Sequence, residues 1–257
     1  MANKINLREL VLNILLEIDK EGQYSHLVLR NTLEKYQYLE KKERAFITRI
    51  CEGTLEYRIR LDYILDQFST VPADKMKPVI RELLRSSVYQ LLYMDHVPDS
   101  AVCNEAVKLA RKRGFYNLTG FVNGVLRRIV REYGSIHFPE KNSPVEYLSV
   151  IYSMPVWLVE RFLKEYDFAT TEKMLESFLE TQPATIRIRE YQTEEEAVLE
   201  SLKEEKVTVE KAPYVDRAYY VKNYDYLPAL TAFRRGSIQV QDCLLYTSDA
   251  ADEARSV

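Results

Sequence analysis

Glycine and proline are scarce, with seven and nine copies in 257 residues. That scarcity argues against a loop-rich all-β fold and for long helices. Cysteine is scarcer still. Cys51, Cys103 and Cys243 stand far apart, with no CxxC pair and no histidine cluster beside them. A disulfide framework or a zinc site is therefore not expected, and no metal is. No segment approaches the roughly 20 apolar residues of a membrane span, and no uninterrupted apolar run follows Lys4 and Arg8. The expectation is a cytoplasmic protein with no membrane partner. Charge of one sign is also lacking, since the net charge is -3, so only its distribution along the chain could point to a nucleic acid.

Catalytic constellations are missing as well. His26, His96 and His137 lie in separate segments, and no Ser/His/Asp or Cys/His arrangement is visible. No glycine-rich loop follows an expected strand, so no nucleotide cradle is read. No catalytic, cofactor-binding or metal-binding residue is assigned.

What is present is helical periodicity. Leu7, Leu10, Val11, Ile14, Leu15 and Ile18 recur at three- and four-residue intervals and share one face of a helix over 5–20. Similar patterns predict helices at about 25–37, 41–56, 57–68, 77–94, 100–113 and 116–133. In 77–94 the buried face is Val79, Leu83, Leu84, Val88, Leu91 and Leu92. Pro72, Pro78 and Pro98 fall between these stretches, and Gly114 and Gly134 fall at expected helix ends. A connector follows, with Ser143-Pro144-Val145-Glu146 as a capping box and two helices near 155–166 and 170–181. Trp157 is read as a packing anchor. After Pro183 the period changes to two in Thr185-Ile186-Arg187-Ile188-Arg189, which predicts a half-buried strand. A second capping box at Thr193–Glu196 opens a helix to about Glu205, and short strands are expected at Val207–Val209, Ala218–Val221 and Ile238–Gln241. The fold class is mainly α: an all-α bundle, a helical linker and a small α+β subdomain.

Charge is concentrated in two places. From Ala106 to Arg131 there are seven basic residues and no acidic one: Lys108, Arg111, Lys112, Arg113, Arg127, Arg128 and Arg131. They straddle two expected helices, with Phe115, Tyr116 and Asn117 at the junction. Cations neutralise phosphates, and aromatics or asparagine reach bases, so one reading is an RNA-contacting ridge. The other is a solvated face balanced by carboxylates nearby in space. Glu190–Glu210 carries eight glutamates against Lys203 and Lys206 and reads as an exposed acidic helix face.

Several segments, in order, carry a resemblance. Glu43-Arg44-Ala45-Phe46 precedes Gly53-Thr54-Leu55. Ile80-Arg81-Glu82-Leu83-Leu84-Arg85 leads into Tyr89-Gln90-Leu91-Leu92-Tyr93 and Val97-Pro98. Asn104-Glu105-Ala106-Val107 and Gly120-Phe121-Val122-Asn123-Gly124-Val125-Leu126-Arg127 follow. This series resembles the NusB-like RNA-binding domain at the front of bacterial 16S rRNA (cytosine-C5) methyltransferases of the RsmB (Sun) type, over about residues 5–133. Met154–Arg161 resembles the family's entry into its middle region. Thr185–Arg189 resembles its arginine-bearing strand, with Arg189 where asparagine is usual. Phe233–Asp242 resembles the segment leading into the catalytic domain. Physically, Gly120 and Gly124 share one helix face and are expected to let another helix approach closely, with Asn123 bridging backbone groups there.

The resemblance implies a division into 1–138, a NusB-like RNA-binding helical domain; 139–182, a helical connector; 183–242, a small pre-catalytic subdomain; and 243–257, a tail that breaks from the family and is treated as non-native. It implies that the domain binding S-adenosylmethionine and supplying a catalytic cysteine is missing here. This chain is then expected to be inactive alone, to bind no cofactor and to have 16S ribosomal RNA as its partner, with a protein partner left open. The alternatives are a stand-alone NusB-like antitermination adaptor without enzymatic activity and a purely protein-binding helical scaffold.

Overall fold

A computed structural model describes residues 5–180, 183–189, 194–213, 215–224 and 226–240. The chain divides into two compact units between residues 179 and 180. Each is taken by itself.

The first unit opens with seven helices: α1 (Leu7–Glu21), α2 (Ser25–Lys35), α3 (Lys41–Glu56), α4 (Arg58–Phe68), α5 (Pro78–Tyr93), α6 (Asp99–Lys112) and α7 (Thr119–Arg131). They match the seven expected stretches to within a few residues at each end. Local chemistry sets several ends. The Asn6 side chain accepts from Glu9 N and caps α1. The Glu43 carboxylate accepts from Glu40 N at the start of α3. Pro78 fills the first position of α5, and Gly114, at φ +84°, takes the left-handed turn after α6.

The core gathers Val11, Ile14, Leu15, Ile47, Ile50, Leu61, Ile64, Leu65, Leu84, Leu126 and Ile129 around α5. Within α5 every residue from Glu82 to Gln90 is buried, so the helix is enclosed on all sides rather than amphipathic. Of its expected inner face, Leu83, Leu84 and Val88 are fully buried, while Val79, Leu91 and Leu92 are partly so. Its polar residues find partners. Ser86 Oγ donates to Glu82 O, Ser87 Oγ to Leu83 O, and Gln90 Nε2 to Ser86 O. Arg8 Nε donates to Gln90 Oε1 at 2.8 Å. Arg85 lies between Glu82 and Asp62, and Arg81 and Arg58 share Asp19 at 2.6 and 3.0 Å. Burial pushes the Glu82 carboxyl above the ordinary range, with Arg85 acting against the shift.

Three further helices belong to this unit: α8 (Pro144–Ile151), α9 (Val156–Glu165) and α10 (Phe168–Phe178). They enclose Leu148, Val159 and Leu175, and α8 lies against α4. Ser153 Oγ accepts from Ile59 N at 3.1 Å, and Gln67 exchanges hydrogen bonds with the backbone N–H and C=O of His137. The capping box expected at Ser143 does not form. Ser143 is the residue before α8, but its hydroxyl makes no capping bond, and Pro144 supplies the pre-set φ instead. Trp157 is not the expected anchor either. It is 64% exposed, because α9 turns Val159 inward and leaves its neighbours outward. Among the described residues no helix is long and apolar enough to cross a membrane.

The second unit contains strand β1 (Ala184–Ile188), helix α11 (Glu195–Glu204), strands β2 (Thr208–Lys211) and β3 (Ala218–Lys222), the short helix α12 (Thr231–Arg234) and strand β4 (Ile238–Val240). The sheet order is β2-β3-β1-β4, antiparallel throughout. Ile186 lies opposite Tyr219 on one side and Val240 on the other. Ile186 and Ile188 face a core closed by Val198 and Leu202 of α11 with Val207, Val221 and Ile238. The period-two reading of β1 therefore holds, although Thr185 on the other face is buried too. The capping box at Thr193, the end of the last expected strand at Gln241 and the tail 243–257 lie outside the described residues.

Candidate nucleic-acid interface

All seven expected cations lie on or at the ends of α6 and α7, which pack against one another. Each helix buries one apolar stripe: Val102, Cys103, Ala106, Leu109 and Ala110 on α6, and Val122, Val125, Leu126 and Ile129 on α7. What remains outward is set by the 3.6-residue period. On α6 it is Asp99, Ser100, Asn104, Lys108, Arg111 and Lys112; on α7 it is Gly120, Gly124, Arg127, Arg128 and Arg131.

The seven differ in what their side chains meet. At the end of α6, Lys112 Nζ stands 2.6 Å from Glu9 Oε2, and Arg113 Nη2 stands 3.6 Å from Glu9 Oε1 while donating to Asn13 Oδ1. These two cations lean toward α1. On α7, Arg128 lies 5.5 Å from the centre of the Phe68 ring at the end of α4 and pairs with Glu132 at 3.1 Å. Arg127 donates to Asn123 Oδ1 and lies close enough to Cys103 to oppose the rise that burial causes in its thiol. Ten residues of helix separate Cys103 from Arg113, roughly 15 Å at 1.5 Å per residue. Lys112 and Arg113 thus lean toward α1 and Arg128 toward α4, while Lys108 pairs with Glu105, which also accepts from Asn6 at the start of α1.

Carboxylate pairing divides the seven further. Lys108 pairs with Glu105 at 2.8 Å, so Lys108, Lys112, Arg113 and Arg128 have acidic partners. The pairs of Lys108, Lys112 and Arg128 are solvent-exposed and weak. An incoming phosphate can exchange with such a carboxylate at small cost. Arg111, Arg127 and Arg131 are exposed and have no carboxylate within ion-pair distance among the described residues. Sequence reading also missed Lys77. At the start of α5 its ammonium lies 5.5 Å from the Phe115 ring centre, which places another cation at the α6–α7 junction. No local pattern signals this, because the contact joins residues far apart in sequence. Tyr116, 64% exposed, offers an aromatic face at the same junction.

The two glycines behave differently from the expectation. A β-carbon at Gly120 or Gly124 would meet nothing within 4 Å, so neither admits a neighbouring helix. The close α6–α7 contact uses the opposite face of α7, and Asn123 accepts from Arg127 rather than bridging backbone groups. The glycines instead leave bare backbone on the arginine-bearing surface.

Neither described cysteine is poised as a nucleophile. Cys51 and Cys103 are buried, and burial pushes both thiols up, away from the thiolate form. Cys243 lies outside the described residues. Among the described residues no group of three His, Cys, Asp or Glu side chains could hold a metal ion.

Residues 5–131 match the NusB family, and residues 154–224 match the RsmF/B-like methyltransferase, ferredoxin-like domain. The chain is 32% identical over 239 residues to the probable ribosomal RNA small subunit methyltransferase B of Bacillus subtilis (strain 168), covering 93% of this chain and 53% of that protein. It is 33% identical over 207 residues to the protein of the same name from Synechocystis, covering 79% of this chain and 45% of the relative. The solved structure of PH0851 superposes with a TM-score of 0.67 at 21% identity, over 93% of this chain and 54% of that one, a likeness of fold. The chain thus spans about half the length of the curated relatives it matches.

Proposed function

We propose that this chain, whose residues 5–131 match the NusB family and residues 154–224 the RsmF/B-like ferredoxin-like domain, is the RNA-gripping front portion of a ribosomal RNA small subunit methyltransferase B. The observation that carries the RNA-binding role is the outward surface of α6 and α7. From Ala106 to Arg131 it has no acid, and Arg111, Arg127 and Arg131 stand on it without carboxylate partners among the described residues. Lys108, Lys112, Arg113 and Arg128 complete the proposed interface by exchanging their carboxylates for phosphates. The proposed partner is small-subunit (16S) ribosomal RNA in the cytoplasm. The proposed division of labour follows the boundaries 1–138, 139–182 and 183–242. The match over residues 154–224 supports this reading over a stand-alone antitermination adaptor, since the NusB family match ends at residue 131.

In the whole enzyme the proposed reaction is methylation of cytosine at C5, and S-adenosylmethionine supplies the methyl group when bound. The residues described here do not fit that cofactor. The sheet is antiparallel, and among the described residues no glycine lies between a strand and the helix that follows it. The groove beside α8 is lined by Ser143, Pro144, Val145, Glu146, Ser149, Val150 and Val156, a mostly apolar wall in which the Ser149 hydroxyl already donates to Met154 O. No methyl-transfer step is assigned to this chain, which is proposed to be inactive alone.

The test is RNA affinity against salt for the full chain, using a labelled small-subunit rRNA hairpin. Reversing Arg111, Arg127 and Arg131 to Glu removes three phosphate contacts and should flatten the slope of log K against log salt by about 2 to 3. Wild-type affinity and slope in that variant would remove the interface. Methyl transfer from S-adenosylmethionine by the chain alone would overturn the proposed inactivity.

A further inference from the structure

The second unit is acidic along α11, yet one corner of it is not. Arg189 follows β1, and Arg234 and Arg235 close α12 immediately before β4. The backbone brings these positions together. Arg189 N donates to Ser237 O at 3.0 Å, extending the β1–β4 pairing. After α12 the chain reverses through Gly236 at φ +72°, with Ser237 N donating to Ala232 O at 3.0 Å. Gly236 leaves this corner open. Among the described residues beyond its chain neighbours, the one atom within 4 Å of a β-carbon built there is Arg189 Nη1, at 3.9 Å. The Arg189 guanidinium therefore lies over the turn that joins Arg235 to β4.

All three arginines are exposed, and among the described residues none has an ion pair. Two described carboxylates of this unit have other partners. Glu195 takes Arg217 at 3.6 Å and the Tyr219 hydroxyl, and Glu205 accepts from Thr231 N at 3.0 Å. Like charges held together without counter-charge raise the local potential, and guanidinium forks match phosphate oxygens in geometry. We infer that Arg189, Arg234 and Arg235 form a second phosphate-binding site, on the second unit, for the backbone of the same RNA strand. This rests on the RNA-binding role proposed above and extends it to a surface of a different unit.

The experiment uses the full chain and the same labelled hairpin in two parallel variants. One carries Arg189→Glu, Arg234→Glu and Arg235→Glu; the other carries the α6–α7 reversals. The expected result is at least a tenfold loss of affinity at moderate salt and a shallower salt slope in each variant. Lysine at positions 189, 234 and 235 should keep the slope, since charge carries the contact and the same backbone is preserved. If the 189/234/235 reversal binds like wild type while the α6–α7 variant fails, the second site is overturned and the RNA-binding role stands. If the wild-type chain ignores RNA even at low salt, both fall. If lysine costs as much as glutamate, the contact is not electrostatic and the inference is overturned. Inorganic phosphate at constant ionic strength should leave RNA bound. Displacement equal to the loss seen in the Glu variant would mark the corner as a free-phosphate site instead, which also overturns it.

Discussion

The ring of Tyr89 occupies the space where a side chain at Gly53 would begin. A β-carbon on Gly53 would lie 2.0 Å from Tyr89 Cζ and 2.2 Å from its hydroxyl oxygen. Tyr89 is 1% exposed and stacks on Tyr93, which stacks in turn on Tyr57. The α3–α5 contact is therefore closed by a glycine on one helix and an aromatic on the other.

Gly53→Ala should destabilise the first unit by about 1–3 kcal/mol, the usual cost of forcing extra volume into a packed core. Urea unfolding of Gly53→Ala, Tyr89→Leu and the double variant checks this. The double variant should be more stable than the sum of the single losses predicts, because the shorter leucine makes room for the new methyl. Additive losses would mean that the two positions do not meet.

Arg85→Met should cost about 3–5 kcal/mol at neutral pH, because it strands Glu82 and Asp62 beside an apolar side chain. The loss depends on pH with a definite sign. Burial holds the Glu82 carboxyl above its unfolded value, so the folded state binds the extra proton first. Stability of the variant should rise as pH falls through that raised value, and the gap to wild type should narrow. A gap that widens on acidification would contradict this assignment.

Glu9→Gln should tighten RNA binding a few-fold, since it releases Lys112 and Arg113 from their shared carboxylate and adds free cations to the interface. Fluorescence anisotropy with the labelled hairpin measures it. An unchanged affinity would place the α1-facing cations outside the RNA contact and confine it to Arg111 and the α7 arginines.

The helices were legible because their signal is local: apolar residues at three- and four-residue spacing, bounded by residues such as Pro78 and Gly114. The same logic failed where the outcome depends on which face of a helix meets its neighbour. Gly120 and Gly124 share a face as expected, but Val122, Val125, Leu126 and Ile129 make the apolar side and take the packing, so the glycines point outward. The acid-free run from Ala106 to Arg131 was visible as composition. Its balance was not, because Glu9 reaches Lys112 across more than a hundred residues, and Lys77 arrives at Phe115 from another helix. Trp157 shows the same limit in reverse: its size suggested an anchor, yet only the packing of α8 to α10 decides which side of α9 is inside.

The enclosure of α5 has a consequence for how the bundle can be divided. This helix touches α1, α3, α4, α6 and α7 at once, and along its middle even the serines and the glutamine are shut away from water. Stripping off any one of those neighbours would wet a surface made for the dry interior. The seven helices should therefore melt in one transition and resist dissection, and a shorter piece cut anywhere inside them should be recovered as aggregate or coil rather than as a smaller working domain.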